Sequence, residues 1–324
     1  PREIVKGAVR AASGDGSIEI ILVGAESLVR SELAKYGVSR LPLSIVNASQ
    51  AICDGESPVA ALRHKPDASM LVAMRLVKEG QADAMISMGS TGAVMVSAIQ
   101  ILGKLEGIQR PTVGTSLHGL APGTVMFDMG ANSDCKPRDL FNFAIIGCAF
   151  ARKIIGIEPP TVALLSNGSE EGKGNKVTKE AYQLFQKGNF NFIGNVEGDD
   201  IPKGKANVII CDGFVGNIIT KLCEGLGDVL GERLQISLEG QLAPEQISKI
   251  TGELFNLTHV ADVGGGGLIS GVDGVVWIGH GRSQAPQLAE AIRQARLAVE
   301  TNFVRELKSE LRTGWRQKSS GEEI

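Results

Sequence analysis

The chain has 324 residues, 43% of them hydrophobic, so it can bury a large core in one or two α/β domains and is not a disordered chain. Its 33 basic and 36 acidic residues give a net charge of −3, which excludes sequence-independent binding of nucleic acid. Five cysteines without a Cys-x-x-Cys pair predict reduced thiols in a cytoplasmic protein, and no apolar run reaches the ~18 residues that a membrane helix needs.

Short β-rich runs alternate with amphipathic helical segments along most of the chain. This alternation predicts a parallel sheet covered by helices on both faces. Several strands end in Gly, Asn, Asp or Ser, and ligands bind at that edge of open α/β sheets. The predicted strands are residues 18–23, 43–46, 84–87, 124–128, 161–165, 190–196, 208–211 and 275–279.

The strand–helix alternation stops between residues 224 and 262. This stretch predicts two helices separated by residues 238–244, a helical hairpin inserted within a single domain of residues 1–324. A flexible glycine run at residues 264–267, one long helix at residues 285–311 and a polar tail at residues 313–324 complete the prediction.

Two strand-to-helix turns carry side chains that suit an anion. Residues 87–93 read Ser-Met-Gly-Ser-Thr-Gly-Ala, where backbone N–H groups and the hydroxyls of Ser90 and Thr91 can donate; a capped turn is the structural alternative. Residues 128–137 hold two carboxylates, Asn132 and Lys136 in one loop, which favours a ligand site over an Asx turn.

Two further turns place lysine and asparagine beside glycines. Residues 167–175 fail the spacing of a nucleotide phosphate loop, yet Lys173 and Asn175 suit an anionic ligand as well as a solvated loop. Residues 211–217 precede a helix that carries Asn217 and Lys221 on one face. A lysine near a helix start indicates a bound anion, unless it forms an ion pair with Glu224.

His280 ends the apolar strand at residues 275–279, and either a catalytic or a structural role is open for it. The sequence contains no Gly-x-Ser-x-Gly elbow and no Gly-x-Gly-x-x-Gly fingerprint after its first strand. It also lacks a His or Cys pattern typical of zinc. We therefore expect neither a cofactor nor a metal.

Seven motifs in fixed order resemble the PlsX family of phosphate acyltransferases, over about residues 3–297. The resemblance implies a three-layer α/β/α sandwich like that of the isocitrate and isopropylmalate dehydrogenases. It also implies a homodimer that transfers a fatty acyl group from acyl-acyl-carrier protein to inorganic phosphate in phospholipid synthesis. A phosphotransacetylase-like enzyme using acyl-CoA and a non-catalytic carrier- or lipid-binding scaffold are the alternatives. The motifs are residues 61–63, 87–93, 128–137, 170–175, 194–198, 212–217 and 280–281.

Within that resemblance, phosphate is expected at Lys136, Lys173 and the helix start near Asn217, with His280 or Asp212 handling the proton or the oxyanion. Further expected substrate contacts are Ser90, Thr91, Asn132, Asn175 and Lys221. The hairpin is expected either to form the dimer alone or also to make weak membrane contact. The apolar tip of the hairpin would consist of Ile236, Leu238, Leu242 and Ile247. A glycerol-3-phosphate acyltransferase is a further expected partner of the protein.

The sequence departs from the family pattern in three places. Ser90 stands where the family usually has Asn, and residues 166–169 replace the usual Asn-Ile-Gly-Glu. The family also opens with a strand and an Asp-Ala-Met-Gly-Gly-Asp loop, which would precede Pro1. Two expectations are open: the segment has been removed from this sequence, or the natural protein lacks it and has lost activity.

Overall fold

The computed structural model describes residues 1–14, 16–53 and 55–314. The chain forms two compact units. Unit 1 consists of Pro1–Pro111 and Gly264–Lys308, and unit 2 consists of Thr112–Val263 together with residues 309–324, of which 315–324 lie outside the described part. The polar tail expected from residue 313 falls mainly on those last residues.

Unit 1 contains two small groups of strands. β1 (Ile20–Gly24) pairs in parallel with β2 (Leu43–Asn47). β3 (Ala84–Ser87) pairs in parallel with β10 (Val275–Ile278), which pairs antiparallel with β9 (Gly267–Ser270). The helices of this unit are α1 (Arg2–Gly14), α2 (Glu26–Leu33), α3 (Pro58–His64), α4 (Ser69–Lys78), α5 (Thr91–Ile101) and α11 (Ala285–Glu300).

Unit 2 contains five strands in the order β4 (Thr112–Ser116), β5 (Val125–Phe127), β8 (Val208–Ile210), β6 (Thr161–Leu165) and β7 (Asn191–Val196). Among the described strands of this unit, only the β4–β5 pair is antiparallel. Its helices are α6 (Pro137–Phe150), continued by a π-helical turn (Ala151–Ile155), α7 (Lys176–Lys187), a 3-10 turn (Gly198–Asp200), α8 (Gly213–Leu238), α9 (Pro244–Thr258) and α10 (Val260–Val263).

The predicted α/β class is confirmed, because both units have mostly parallel strands with flanking helices. All eight predicted strands are present, with ends shifted by at most a few residues. The central strands β5 and β8 are buried throughout, as expected of parallel strands covered on both faces. Two strands, β4 and β9, were not predicted.

Two predictions about local structure were wrong. The single helix expected at residues 285–311 is two helices, α11 and α12 (Phe303–Gly314), because Asn302 adopts a left-handed backbone with φ 53°. The glycine run at residues 264–267 is closely packed: a Cβ on Gly266 would lie 1.9 Å from the carbonyl oxygen of Ile278. Its glycines are therefore required for close approach of the backbone.

Strand β7 ends the strand order of unit 2 and is irregular. Phe192 pairs with Val162 and Asn195 pairs with Leu164, so β7 has one residue more than β6 between these two pairs. Gly194, within the extra segment, has φ 100°. This is a β-bulge on an edge strand.

Helices α8 and α9 form the hairpin of unit 2 and pack on each other. His259, which follows α9, is buried, and its Nε2 atom lies 3.2 Å from Oδ1 of Asp228 on α8. The His259 ring also stacks on the ring of Phe255. One face of α8 leaves large apolar side chains exposed, a surface that we call the α8 apolar face. It comprises Phe214, Val215, Ile218, Leu222, Leu226, Val229, Leu230 and Ile236.

The expected apolar tip of the hairpin is smaller than the sequence indicated. Ile236 is exposed and Leu238 and Leu242 are half-buried, whereas Ile247 is buried and does not face solvent. Among the described residues, no helix has both the length and the apolar character required to cross a bilayer.

Candidate active site

The buried carboxylate of Asp128 organises the loop that follows β5. Its two oxygens accept hydrogen bonds from the backbone N–H groups of Gly130, Ala131 and Asn132 and from Asn132 Nδ2, at 2.6–3.0 Å. Burial raises the pKa of Asp128, and the hydrogen bonds from Ala131, Asn132 and Gly130 oppose that rise. Asp128 therefore fixes the path of the loop and the side chain of Asn132.

The Asp128 loop packs directly on the first turn of α8. The N–H of Gly213 donates to the carbonyl of Asn132 at 2.8 Å, and that of Asp128 donates to the carbonyl of Cys211 at 3.0 Å. A Cβ on Gly216 would lie only 1.9 Å from the carbonyl oxygen of Asp128. The two motifs at residues 128–137 and 211–217 thus form one cluster, in which the exposed Asn217 lies beside Gly130.

Two side chains of α8 predicted for the site have local partners. Asp212 is the N-cap, because its Oδ1 accepts from the N–H of Val215 at 2.8 Å. Lys221 Nζ donates to Oε2 of the buried Glu224 at 2.7 Å, which is the ion pair considered from the sequence. This pair accounts for Lys221 without an anion, and its contact with substrate remains a prediction.

The loop at residues 166–175 follows β6, which runs parallel to its neighbour β8. Parallel strands end at the same edge of a sheet, so this loop and the start of α8 share an edge. Asn167 Oδ1 accepts from the N–H of Gly174, and Asn195 Nδ2 donates to the carbonyl of Glu170. The half-exposed Lys173 folds its stem over Gly168, with Nζ 4.0 Å from Glu170 Oε1.

Two more predicted residues lie at helix starts of unit 2. Asn175 caps α7, with its Oδ1 accepting from the N–H of Thr178. Lys136 precedes α6; its backbone N–H donates to Asp139 Oδ2 and the residue is exposed. These contacts are local to the two helix starts and do not test substrate binding. The assignments of Asn175 and Lys136 to the substrate site therefore stay predictions.

In unit 1 the structure brings the motifs at residues 87–93 and 280–281 together. The strands that precede them, β3 and β10, are parallel neighbours, and the N–H of Gly279 donates to the carbonyl of Ser87 at 2.9 Å. A Cβ on Gly279 would lie 2.3 Å from the sulfur of Met88. Ser90 is the N-cap residue of α5, Thr91 begins that helix, and His280 is half-buried.

Two of the buried cysteines, Cys148 and Cys211, are poor nucleophiles. Burial, with the charge of Asp128 beside it, raises the pKa of Cys211 well above its usual value, and burial raises that of Cys148 to about 12. Within the described residues, no group of three or more His, Cys, Asp or Glu side chains is arranged to hold a metal ion.

A family model described as "Fatty acid synthesis protein" matches residues 1–306. The chain belongs to this family, the PlsX family of phosphate acyltransferases. The phosphate acyltransferase of Heliobacterium modesticaldum is 44% identical over 309 residues, 94% of this chain and 92% of that protein. The phosphate acyltransferase of Desulforudis audaxviator is 41% identical over 312 residues, 94% of this chain and 90% of that protein.

Solved structures share the PlsX fold of this chain at low sequence identity. A phosphotransacetylase from Streptococcus pyogenes aligns with a TM-score of 0.59 and 21% identity, covering 90% of this chain and 91% of that one. A 4-hydroxythreonine-4-phosphate dehydrogenase from Klebsiella pneumoniae aligns with a TM-score of 0.53 and 12% identity, covering 92% and 95%. These likenesses show the fold alone.

Sequence reasoning ranked a ligand site above an Asx turn for the loop at residues 128–137, and Asp128 itself forms the Asx turn that was the alternative. The close packing of Gly216 in this PlsX chain was missed. The signal for Asp128 was its position directly after a buried strand and before Gly and Asn, which is typical of a side chain that gathers backbone N–H groups. Gly216 lies four residues into a strand-to-helix motif, where a glycine indicates close backbone approach.

Proposed function

We propose that this chain transfers a fatty acyl group from acyl-acyl-carrier protein to inorganic phosphate, giving acyl phosphate for phospholipid synthesis. The observation that carries the proposal is the locked cluster of the Asp128 loop and the start of α8. Gly213 and Gly216 bring the backbone of the two segments together, so the first turn of a long helix packs beside Asn132, and Asn217 of the same helix lies beside Gly130. A helix start of this kind attracts an oxyanion.

In the proposed reaction a phosphate oxygen attacks the thioester carbonyl carbon. The new C–O bond forms, the C–S bond breaks, and the thiolate of the carrier leaves and takes up a proton. Asn217, Lys173 and Lys136 hold phosphate, and either His280 or Asp212 handles the proton or the developing oxyanion. The raised pKa values of Cys211 and Cys148 argue against these two thiols as carriers of the acyl group.

The test is phosphate-dependent loss of the thioester. Purified protein is mixed with palmitoyl-acyl-carrier protein with and without phosphate, and free carrier thiol and palmitoyl phosphate are followed by mass spectrometry. We expect both products only when phosphate is present. Equal or faster reaction with palmitoyl-CoA would favour the phosphotransacetylase-like alternative, and carrier binding without any thioester loss would favour the scaffold.

Lys173→Ala and His280→Ala are each expected to lower kcat/KM for phosphate about 10-fold, the loss of one charge-assisted hydrogen bond. Both side chains are at least partly exposed, so the fold should be unchanged by circular dichroism. Lys176→Ala, which removes the same charge three residues away on an exposed side chain, is the matched control and should act like the wild type. Wild-type rates for Lys173→Ala and His280→Ala would refute the site assignment.

The α8 apolar face supports a homodimer. Eight exposed large apolar side chains along one 26-residue helix are more than a monomer ordinarily leaves uncovered. The reduced hairpin tip, flanked by Glu239 and Glu245, favours at most weak contact with an anionic membrane. A cytoplasmic enzyme that passes acyl phosphate to a glycerol-3-phosphate acyltransferase is the proposed cellular setting.

The double variant Leu222→Glu, Val229→Glu is expected to be monomeric in sedimentation velocity, because it places two charges in the proposed interface. The wild type should sediment as a dimer at micromolar concentration. Leu28→Glu, at a comparably exposed leucine of α2 in unit 1, is the control and should remain dimeric. A monomeric wild type would contradict the dimer.

A further inference from the structure

Helix α1 presents a row of three cations to solvent. Arg2, Lys6 and Arg10 are spaced four residues apart and all three are exposed. At a rise of 1.5 Å per residue, the row runs about 12 Å along one side of the helix. We call this row the α1 basic face.

Within the described residues these charges receive almost no compensation. No carboxylate there pairs with Lys6 or Arg10, and Arg2 Nε is 3.9 Å from Glu3 Oε1. Some exposed cations of unit 1 have close partners: Arg30 bonds to Glu26, Lys35 to Glu32 and Arg293 to Glu290. Others, namely Arg40, Arg63 and Arg305, also lack a carboxylate partner in the described part of the chain, but they lie on separate elements and do not form a row. Like charges four residues apart repel, and a cation in the first turn opposes the helix dipole, so the α1 basic face reduces the stability of its own helix.

The opposite face of α1 packs in the core. Val5, Ala8 and Ala12 are buried, and a Cβ on Gly7 would lie 2.8 Å from Leu288 of α11. The helix therefore has no free apolar face to insert into a bilayer. What it offers to a partner is a rigid row of positive charge.

The α1 basic face begins next to the segment that carries His280. Oε2 of Glu3 accepts a hydrogen bond from the N–H of Ala285 at 3.0 Å, so the first turn of α1 is joined to the start of α11. Only four residues separate His280 from Ala285 in the chain, and the N–H of Ser283 donates to the carbonyl of His280 to close the turn between them. A protein bound on α1 would thus lie beside a candidate catalytic segment.

We infer that the α1 basic face docks an acidic helix of the acyl-carrier protein, holding the carrier near the His280 turn while its thioester reacts. This inference rests on the proposed function, because that function requires a protein-bound thioester. Complementary charge on the two surfaces would raise the association rate and fix the orientation of the carrier. The interaction should weaken as ionic strength rises.

The test is the triple variant Arg2→Gln, Lys6→Gln, Arg10→Gln, in which glutamine keeps the helix propensity. We expect KM for palmitoyl-acyl-carrier protein to rise about 10-fold, from three exposed charge pairs of modest strength, with kcat unchanged. KM for palmitoyl-pantetheine, which has no protein surface, should not change. The salt dependence of KM for the carrier should also be reduced.

The matched control is Arg30→Gln, Lys35→Gln, Arg293→Gln, which removes the same charge from the same unit at exposed sites already paired with carboxylates. It should change KM for the carrier less than 2-fold. An equal effect of both triple variants would assign the result to net charge and overturn the inference. An unchanged KM for the carrier, with loss of binding to phosphatidylglycerol vesicles only, would overturn it in favour of a membrane contact.

Direct binding separates this inference from the proposed function. Titration of holo-acyl-carrier protein into wild type and triple variant, followed by calorimetry, does not depend on turnover. Weaker binding to the triple variant supports the α1 basic face even if no thioester reacts with phosphate. Equal binding by both proteins refutes it even if the proposed reaction is fast.

Discussion

Replacement of Gly216 by alanine is expected to abolish turnover and to lower the free energy of unfolding by about 3 kcal/mol or more. The added Cβ would lie 1.9 Å from the carbonyl oxygen of Asp128 and 2.9 Å from its carbon. These are backbone atoms, so no flexible side chain can move aside. The first turn of α8 must therefore separate from the Asp128 loop, and both sides of the proposed phosphate site lose their positions.

Helix α9 supplies a control for Gly216→Ala. Gly252 is an exposed glycine of α9, and a Cβ there would have no atom within 4 Å. Gly252→Ala should stabilise the protein by about 0.5–1 kcal/mol through helix propensity alone. Urea denaturation and the phosphate-dependent formation of palmitoyl phosphate measure both variants. Similar stability of the two would show that the close approach at Gly216 does not determine the position of α8.

Asp128→Ala is expected to destabilise the protein by about 4 kcal/mol and to eliminate activity. The substitution leaves the N–H groups of Gly130, Ala131 and Asn132 and the amide of Asn132 without their acceptor. Asn132 is buried, and each of its two donors that loses its partner costs about 1–3 kcal/mol, whereas water can reach the N–H groups of the exposed Gly130 and the half-buried Ala131. The loop that packs on α8 would then lose its fixed path.

Asp134 provides the comparison for Asp128→Ala, since it is an exposed carboxylate of the same loop region. Asp134→Ala should change the free energy of unfolding by no more than about 0.5 kcal/mol. Asp128→Asn should be intermediate, because an amide keeps one acceptor oxygen but turns an NH₂ group toward other donors. Equal unfolding midpoints for Asp128→Ala and Asp134→Ala would mean that the hydrogen bonds to Asp128 add little.

Most of the strands that were predicted are apolar runs, whereas the missed strand β4 is not. β4 reads Thr-Val-Gly-Thr-Ser, with one large apolar residue in five. It belongs to the sheet because Gly114 lies directly under the ring of Phe127, to which it is paired; a Cβ there would be 2.3 Å from the ring. That contact is made between strands and leaves no periodic signal in the sequence.

The spacing of apolar residues also did not predict the break between α11 and α12. Phe303, Leu307 and Leu311 continue an apolar spacing of four residues and are all buried, so the pattern alone reads as one helix. The turn depends on one backbone conformation at Asn302, a residue type that tolerates it but does not require it.

The loops of the candidate site were found from composition, whereas their internal organisation was not. Gly, Asn, Asp and Lys after strands identified the loops at residues 128–137, 167–175 and 211–217. The sequence could not distinguish a carboxylate that holds the protein's own backbone, as Asp128 does, from one that meets a ligand. Likewise, the ion pair between Lys221 and Glu224 depends on both rotamers and could only be offered as an alternative.

The bulge at Gly194 affects how copies of this chain can meet. β7 is the outermost strand of unit 2, and a straight strand there would offer a template for fibril-like growth between molecules. With an extra residue and a left-handed glycine, successive N–H and C=O groups no longer point outward in register. Strand-by-strand aggregation is thereby discouraged at that edge of the sheet.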